Sequence, residues 1–354
     1  MSGFVFRLMR ESAELTQVEL AHELSVDVAT VQGWESGRRA IGSLRASDIA
    51  RLQMRMGRLG VRLSLFDVLH DAVEADLLIS DAVQAGDSLV PPERHPLAAE
   101  VHRRSLTSLI TWPITGAQPP QLAGVAPYRR RGPAPKYPQL TVEERDRFFN
   151  HLLVTADAQR RRSDALLRRQ AIYLLSFDHR PDSAGWLASE QQQAMRKASA
   201  GADHVPSWVS VRSSAVALAY KGNREPLYHF VSGALVNEKQ ELANLNYWAY
   251  WVGEIPEKHV DDQFMVSDGT PHWTGAWLAD HLLNRISPGL HHVELNIHTL
   301  WALLLARPAV LDCRPDLRPR IEATADTMTV DLDISKRARQ ELDSIAYAVR
   351  MTNR

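Results

Sequence analysis

The sequence has little of what marks secreted or membrane proteins. Its 354 residues include one cysteine, Cys313, so neither an intrachain disulfide nor a cysteine-based zinc site can form. No apolar run approaches the roughly 20 residues of a membrane-spanning helix, and the first residues lack a signal-peptide pattern. Because 45% of the residues are hydrophobic and 23% charged, the chain is not wholly disordered. We expect a cytoplasmic protein with no membrane partner.

Motifs of phosphate binding and catalysis are also missing. The sequence contains neither a Gly-x-x-x-x-Gly-Lys loop nor a Gly-x-Ser-x-Gly elbow. Four histidines lie close together in sequence, downstream of two adjacent aspartates, but without a recognised zinc-ligand spacing. They are His281, His291, His292 and His298. We therefore expect no catalytic residues, no metal site and no cofactor, and the protein is not expected to be an enzyme.

Charge is balanced overall, at −1, but is unevenly distributed. Residues 28–62 contain seven arginines against two acidic residues, whereas 1–27 and 63–126 are each net acidic. A basic block of this kind fits a surface that faces a polyanion. It is also common on ordinary solvent-exposed helices.

Apolar residues recur at helical spacing almost throughout the chain, which predicts an all-α fold. Only 327–333 alternates like a short strand. The first 62 residues are typical of four or five short helices. A longer helix is expected over 64–83, with Ser64 as its cap, and another over 96–110, ended by Trp112-Pro113.

Proline and glycine are concentrated in residues 113–140, which are not expected to be helical. This segment carries Arg129, Arg130, Arg131 and Lys136 with no acidic residue. Two interpretations stay open: a basic arm that touches nucleic-acid phosphate, and a semi-extended linker.

The remainder of the chain is predicted to be a helical bundle or a stack of helical hairpins. Thr141 and Glu144 form a capping box for a helix through about Phe177. Residues 215–235 look like one degenerate tetratricopeptide unit, without a clean second copy about 34 residues away. Further helices are expected over about 184–199, 207–221, 224–236, 238–252, 273–286, 293–306 and 335–350.

These patterns divide the chain into four predicted parts. They are an N-terminal domain of short helices (1–63), a helical connector with a potential dimer contact (64–112), a linker (113–140) and an all-helical sensor or interaction domain (141–354).

Aromatic residues are densest around residues 247–251. Tyr247 and Trp251 are four residues apart and so share a helical face. One interpretation is packing between helix pairs. The other is an aromatic-walled pocket for a small molecule or a peptide, with Tyr247, Trp248 and Trp251 as its candidate residues.

Two short helices joined by a tight turn are predicted between residues 16 and 35. Thr16 and Glu19 form a capping box for the first helix, and Asp27 stands where it can cap the second. Ala21 is small enough to let the two helices cross closely. The predicted inner faces consist of Leu20, Ala21, Leu24, Val31 and Trp34. This arrangement is a helix-turn-helix.

The motifs Leu15-Thr16-Gln17-Val18-Glu19-Leu20-Ala21 and Trp34-Glu35-Ser36-Gly37-Arg38-Arg39 resemble the Cro/phage-repressor-like (XRE-type) helix-turn-helix family, over about residues 4–60. The resemblance implies a lambda-repressor-like domain of five small helices, the third of which enters the major groove of double-stranded DNA. It also implies a transcriptional regulator that binds a palindromic operator as a homodimer.

The resemblance further implies roles for individual residues. Gln17 would donate to a phosphate, Arg10 and Glu35 would form a partly buried ion pair, and Arg38 and Arg39 would contact the DNA backbone. The positions that would read bases are Asp27, Val28, Ala29, Thr30, Gln32 and Gly33.

This sequence departs from the family pattern in two respects. Ser25 occupies a turn position where glycine is common, so a left-handed backbone there would be strained by about 1 kcal/mol. The predicted base-reading face is also poor in hydrogen-bonding groups. Direct readout would depend on Thr30, Gln32 and contacts between small side chains and thymine methyl groups, with affinity set by arginine–phosphate contacts.

Two functions of different classes therefore stay open. The first is a regulator that binds DNA sequence-specifically and dimerises or senses an effector through its C-terminal domain. The alternative is a peptide or small-molecule receptor, or a protein-interaction module, in which DNA binding is secondary.

Overall fold

The computed structural model describes residues 1–125, 135–159, 165–198, 205–235, 237–266, 273–328 and 334–352. Throughout these ranges the regular structure is α-helix or short 3-10 helix, and no strand occurs in them. The all-α prediction is confirmed. Of the segment expected to be a strand, 327–328 end a helix, and 329–333 lie outside the described residues.

The described α-helices follow one another closely along the chain. In the N-terminal half they are α1 Ser2–Ser12, α2 Gln17–Leu24, α3 Val28–Glu35, α4 Ala46–Arg58, α5 Ser64–Ala85, α6 Arg104–Thr115 and α7 Val142–Ala158. Then come α8 Ala165–Leu175, α9 Pro181–Ala198, α10 Val205–Tyr220, α11 Glu225–Gly233 and α12 Glu238–Val252. The last are α13 Ala276–Leu283, α14 Val293–Ala306, α15 Val310–Cys313, α16 Leu317–Met328 and α17 Lys336–Thr352.

The chain forms two units with separate sets of internal contacts. Unit one is Met1–Ser88 with Arg104–His151, and unit two is Leu89–Arg103 with Leu152–Arg354. The boundaries of these units differ from the domain bounds predicted from the sequence at residues 63, 112 and 140. Those domain bounds stay a prediction.

Unit one is built around α1. This helix packs against α3 and α5, and α5 packs in turn against α6. The ring of Phe4 meets Trp112 edge-on at 5.0 Å between centroids, and Phe6 meets Trp34 in the same way at 5.6 Å. Residues 1–63 therefore contain four α-helices and one 3-10 helix, Ile41–Ser43, where five small helices were expected.

Two predicted helix ends in unit one are wrong. Ser64 does not cap α5, because it is the first residue of the helix and Leu63 before it already has helical dihedral angles (φ −59°, ψ −36°). Pro113 does not end α6, which continues to Thr115. A proline so near the C-terminus removes one hydrogen bond, and the burial of Trp112 and Ile114 keeps the last turn in place.

The helix predicted over 96–110 is also wrong in its first half. Residues 96–98 form a 3-10 helix, and α6 begins only at Arg104. The backbone N–H of Val101 donates to the carbonyl of His259 (2.7 Å), and that of His102 donates to the side chain of Gln170 (2.6 Å). A helix would need both donors, so these bonds within unit two keep the segment non-helical.

In unit two, α10 packs against α8, α9 and α11. The start of α7 lies in unit one, and there the Thr141–Glu144 capping box is confirmed, with Thr141 N–H donating to Glu144 at 2.8 Å. Within the helix expected through Phe177, α7 ends at Ala158 and α8 spans Ala165–Leu175, and residues 160–164 lie outside the described residues. The sequence-based interpretation missed α15 and α16. The segment compared with a tetratricopeptide unit contains α11 and the end of α10, which pack on each other.

A buried histidine links three helices of unit two. Nδ1 of His298 on α14 lies 2.8 Å from Glu341 on α17, and Nε2 lies 2.8 Å from Glu241 on α12. Arg337 donates to the same Glu341 oxygen, at 2.8 Å. Burial lowers the pKa of His298, but the hydrogen bonds to Glu241 and Glu341 outweigh it, so the pKa is raised from 6.5. The imidazolium with a proton on both nitrogens fits this site.

This geometry predicts how the stability of unit two depends on pH. Because the folded pKa of His298 is raised, its contribution is complete below about pH 6.5 and is lost as pH rises through the folded value. Burial raises the pKa of Glu341, but His298 and Arg337 lower it below 4.5, so its contribution is lost as pH falls through that lower value. We expect this cluster to stabilise most between about pH 4.5 and 6.5.

Thermal unfolding of His298→Gln and wild type between pH 5 and pH 9 checks this expectation. The variant should be less stable at pH 5.5, and the difference should shrink as pH rises. His229→Gln is the control, since His229 and Glu225 form an exposed pair, and it should change nothing. A constant difference for His298→Gln across the range would contradict the assignment.

Candidate nucleic-acid interface

The first helix of the predicted motif begins as the sequence indicated. Thr16 N–H donates to the Glu19 carboxylate at 2.7 Å, and Glu19 N–H donates to the Thr16 hydroxyl at 3.2 Å. The capping box is confirmed. The backbone hydrogen bond from Thr16, the largest effect, lowers the pKa of Glu19.

The turn between α2 and α3 is left-handed at Ser25 (φ +55°), as predicted. On the other side of this turn, Arg55 of α4 donates to the carbonyl of Leu24 at 2.5 Å and lies 3.4 Å from the Ser25 hydroxyl. The turn is thus held by a side chain from α4, although its backbone favours glycine.

Replacing Ser25 with glycine is expected to stabilise unit one by about 1 kcal/mol, since glycine adopts positive φ without strain. Ser25→Ala is the matched control, because it removes the same hydroxyl but keeps the strained Cβ. Urea unfolding should show a higher midpoint for the glycine variant alone. Equal midpoints for the two variants would show that the hydroxyl, and not the backbone, decides the effect.

A buried ion pair joins α1 to the end of α3. Nε of Arg10 donates to Oε1 of Glu35 at 2.6 Å, and Nη2 donates to Oε2 at 3.2 Å. A third donor, Nη1, reaches the carbonyl of Leu15 at 2.5 Å. The two side chains are 10% and 5% exposed. The arginine and the carboxylate thus form a bidentate pair, which fixes the orientation of the two side chains as well as holding them together.

Gln17, the first residue of α2, belongs to the same network. Its Nε2 donates to Oε2 of Glu35 at 2.7 Å, and its Oε1 accepts from Gln32 at 3.4 Å. Glu35 thereby ties α1, α2 and α3 together. Because an amide nitrogen carries two hydrogens, the predicted phosphate contact of Gln17 would use the second.

The chain reverses after α3 at Gly37, whose φ of +76° is strained for other residues. The backbone N–H of Arg39 then donates to the carbonyl of Gly33 at 3.0 Å. The Arg39 side chain runs back over α3, and Nη1 donates to the Thr30 hydroxyl at 2.7 Å. A Cβ on Gly33 would lie 3.0 Å from Cγ and Cδ of Arg39. The absence of a side chain at Gly33 therefore makes room for the arginine.

Residues 6–52 match the family model described as helix-turn-helix. This segment is a Cro/C1-type helix-turn-helix of the XRE family. The match ends within α4, and the rest of the chain is not assigned to a family by it. No curated protein and no solved structure matches the chain.

The helix-turn-helix supports a DNA-binding role in transcription regulation. Its α3 is the helix that enters the major groove in this family, and the predicted base-reading residues all lie on it or at its start. Asp27, Ala29 and Gln32 are exposed, Val28 and Thr30 are partly buried, and Gly33 is buried. Gly33 is thus covered by Arg39, and a direct contact between Gly33 and a base would need Arg39 to move away.

Asp27 is at the cap position of α3 in the expected extended conformation, but its side chain makes no capping hydrogen bond. Its carboxylate is exposed at the start of α3. Arg38, also exposed, donates to the Ser36 hydroxyl at 3.1 Å. The sequence did not show that the Arg39 side chain lies over α3. The chain reverses at Gly37, two residues before Arg39, and this glycine is the only signal of the reversal in the nearby sequence.

The basic block of the sequence lies largely on α4 and the turns beside it. Arg45, Arg51, Arg58 and Arg62 are exposed, and of these Arg51 pairs with Asp48 at 3.4 Å. The predicted basic arm Arg129–Arg131 lies outside the described residues, whereas Lys136 is described and exposed.

The aromatic residues proposed as a pocket lie in unit two. Tyr247 and Trp248 are buried in its core, and Trp251 is partly buried. The rings of Tyr247 and Trp251 are stacked at 6.3 Å with 17° between their planes, so the shared helical face is confirmed. Packing between helices is present, and a pocket stays a prediction.

The clustered histidines have separate surroundings. His281 lies against Trp248, with ring centroids 5.5 Å apart, and Nε2 of His292 donates to the carbonyl of Val216 at 3.2 Å. Burial lowers the pKa of His292 to about 4. Among the described residues, no group of three or more His, Cys, Asp or Glu side chains is arranged to hold a metal ion.

None of the described helices has both the length and the apolar content needed to cross a bilayer.

Proposed function

We propose that this protein is a sequence-specific transcriptional regulator whose helix-turn-helix binds double-stranded DNA as a homodimer on a palindromic operator. In this proposal the protein is cytoplasmic and non-catalytic, and unit two senses a small molecule or a peptide. The observation that supports sequence-specific binding most is the Arg39 side chain held across α3.

Arg39 adds hydrogen-bond donors to the predicted base-reading face of α3, which is otherwise poor in hydrogen-bonding groups. An arginine that donates two hydrogen bonds to O6 and N7 of guanine makes the commonest specific contact in the major groove. Its Nη1 is already bound to Thr30 on the recognition helix, so less side-chain freedom is lost on binding. Thr30 and Gln32 then supply secondary contacts, and guanine recognition by Arg39 adds to the predicted contacts with thymine methyl groups.

The exposed arginines on and beside α4 supply the sequence-independent part of the affinity. Each arginine–phosphate contact releases condensed counterions, so binding should weaken steeply with salt. The dimer itself is supported by the symmetry argument: two recognition helices match two half-sites about one helical turn apart.

Selection of bound fragments from genomic DNA by the full chain, at physiological salt, tests the proposal. A recurring palindrome with a guanine at a fixed position in each half-site is the expected result. The half-site spacing would also show the dimer geometry. Binding to fragments that share no sequence would contradict sequence-specific regulation.

The alternative, a receptor in which DNA binding is secondary, has an observation of its own in unit two. A buried arginine there has unsatisfied hydrogen-bonding capacity beside the predicted aromatic pocket. It is the starting point of the inference below.

A further inference from the structure

Arg212 of α10 is a buried cation surrounded by aromatic rings. The residue is 5% exposed. Its guanidinium carbon lies 4.2 Å from the centroid of Tyr247 and 5.1 Å from that of Trp248. Contacts with ring faces offset part of the cost of burying the charge, but the Nε donor of the guanidinium has no hydrogen-bond partner in the described part of the chain.

The neighbouring Arg169 shows what a satisfied arginine looks like in the same place. It is equally buried, and it donates to both carboxylate oxygens of Asp262, at 2.7 and 2.5 Å. Arg212 forms no ion pair with any carboxylate in the described part of the chain, and its Nε has no hydrogen-bond partner there. Burial lowers the pKa of Arg212, and Arg169 lowers it further.

A second unsatisfied donor lies beside the first. The indole N–H of Trp248 is buried and has no partner among the described residues, although the N–H of a buried tryptophan usually finds one. An unpaired buried charge and an unpaired buried N–H each cost free energy unless something binds them. A single anionic acceptor would bind both donors and balance the buried charge.

We propose that Arg212 and Trp248 form a binding site for a small organic carboxylate with a flat, apolar body. One unpaired guanidinium balances one negative charge, so a monoanion fits better than a phosphate dianion. The two oxygens of a carboxylate match the two unsatisfied donors, and the rings of Tyr247 and Trp248 provide flat apolar surfaces. The site supplies a ligand class for the sensing role in the proposed function. Only an effect of this ligand on DNA binding rests on the proposed function.

Calorimetric titration of the full chain with sodium benzoate, in the absence of DNA, tests the site directly. Benzyl alcohol carries the ring without the charge, and inorganic phosphate carries charge without the ring. We expect benzoate to bind saturably and to raise the melting temperature, and the other two probes to do neither. Tighter binding of phosphate than of benzoate, or equal effects of benzoate and benzyl alcohol, would overturn the carboxylate assignment.

Variants then show whether these residues are responsible. Arg212→Met should abolish benzoate binding, and Trp248→Phe, which keeps a ring but removes the N–H, should weaken it about tenfold. Unchanged binding by either variant would overturn the site.

The melting temperatures without ligand supply an independent check. Arg212→Met should melt no lower than wild type, because it removes an uncompensated buried charge. Arg169→Met, the matched control, should melt much lower, because it leaves Asp262 unpaired. A comparable drop for Arg212→Met would show that the arginine is paired inside the protein and would overturn the proposal. A DNA affinity that benzoate leaves unchanged would contradict only the regulatory role.

Discussion

Replacing Arg10 with methionine is expected to destabilise the helix-turn-helix by about 3–5 kcal/mol. Methionine fills much of the space of the arginine but leaves the Glu35 carboxylate buried without its counter-charge. It also leaves the Leu15 carbonyl without the Nη1 donor. Since domains of this size are stable by about 5–15 kcal/mol in total, DNA binding should be lost along with the fold of α1–α3.

Hydrogen exchange of backbone amides, resolved by peptide, measures this effect locally. Amides of residues 1–40 should exchange far faster in Arg10→Met than in wild type, while the peptides of unit two serve as an internal reference. Arg51→Ala is the matched control in the same domain, because Arg51 and Asp48 are 70% and 43% exposed. Such a pair contributes about 0–1 kcal/mol. Similar protection in Arg10→Met and wild type would contradict a structural role for the pair.

Replacing Arg39 with alanine is expected to reduce the preference for operator over unrelated DNA by about 10- to 100-fold. This range corresponds to the loss of one two-bond contact with guanine, worth about 1–3 kcal/mol. The reason is the position of the side chain, which lies over Gly33 and binds Thr30 on α3. In the proposed function, a side chain held there would contact a base as well as neutralise a phosphate.

Arg38→Ala provides the comparison for that prediction. The exposed side chain of Arg38 donates to the Ser36 hydroxyl, past the end of α3, so its loss should weaken binding to all sequences alike. The slope of log affinity against log salt should also fall by about one. Thr30→Val keeps the shape of the side chain but removes the hydroxyl that holds Arg39, and should lose part of the selectivity.

Fluorescence anisotropy with operator and scrambled duplexes, at several salt concentrations, separates these effects. A uniform loss of affinity for Arg39→Ala, with the preference unchanged, would place Arg39 on phosphate, the role that the family resemblance implies. Altered selectivity in Arg38→Ala would reverse the two assignments.

Local signals predicted much of the architecture. Capping boxes at Thr16 and Thr141, and the helical spacing of α12 and α14, are short-range patterns that the surrounding fold did not override. The left-handed turn at Ser25 followed from the motif around it. Errors arose where distant groups competed for backbone donors: the N–H groups of Val101 and His102 bind residues far away in the chain and so cannot belong to a helix.

The sequence by itself therefore determined the helical fold class, the helix-turn-helix and the Arg10–Glu35 pair, because spacing and capping act within a few residues or within a recognisable motif. Only the tertiary structure decided which arginine lies over α3 and which buried arginine has no acidic partner among the described residues. Those outcomes depend on a chain reversal at Gly37 and on the side chains that α8, α10 and α12 bring together. Every arginine carries the same guanidinium group, and the groups that surround it after folding determine its function.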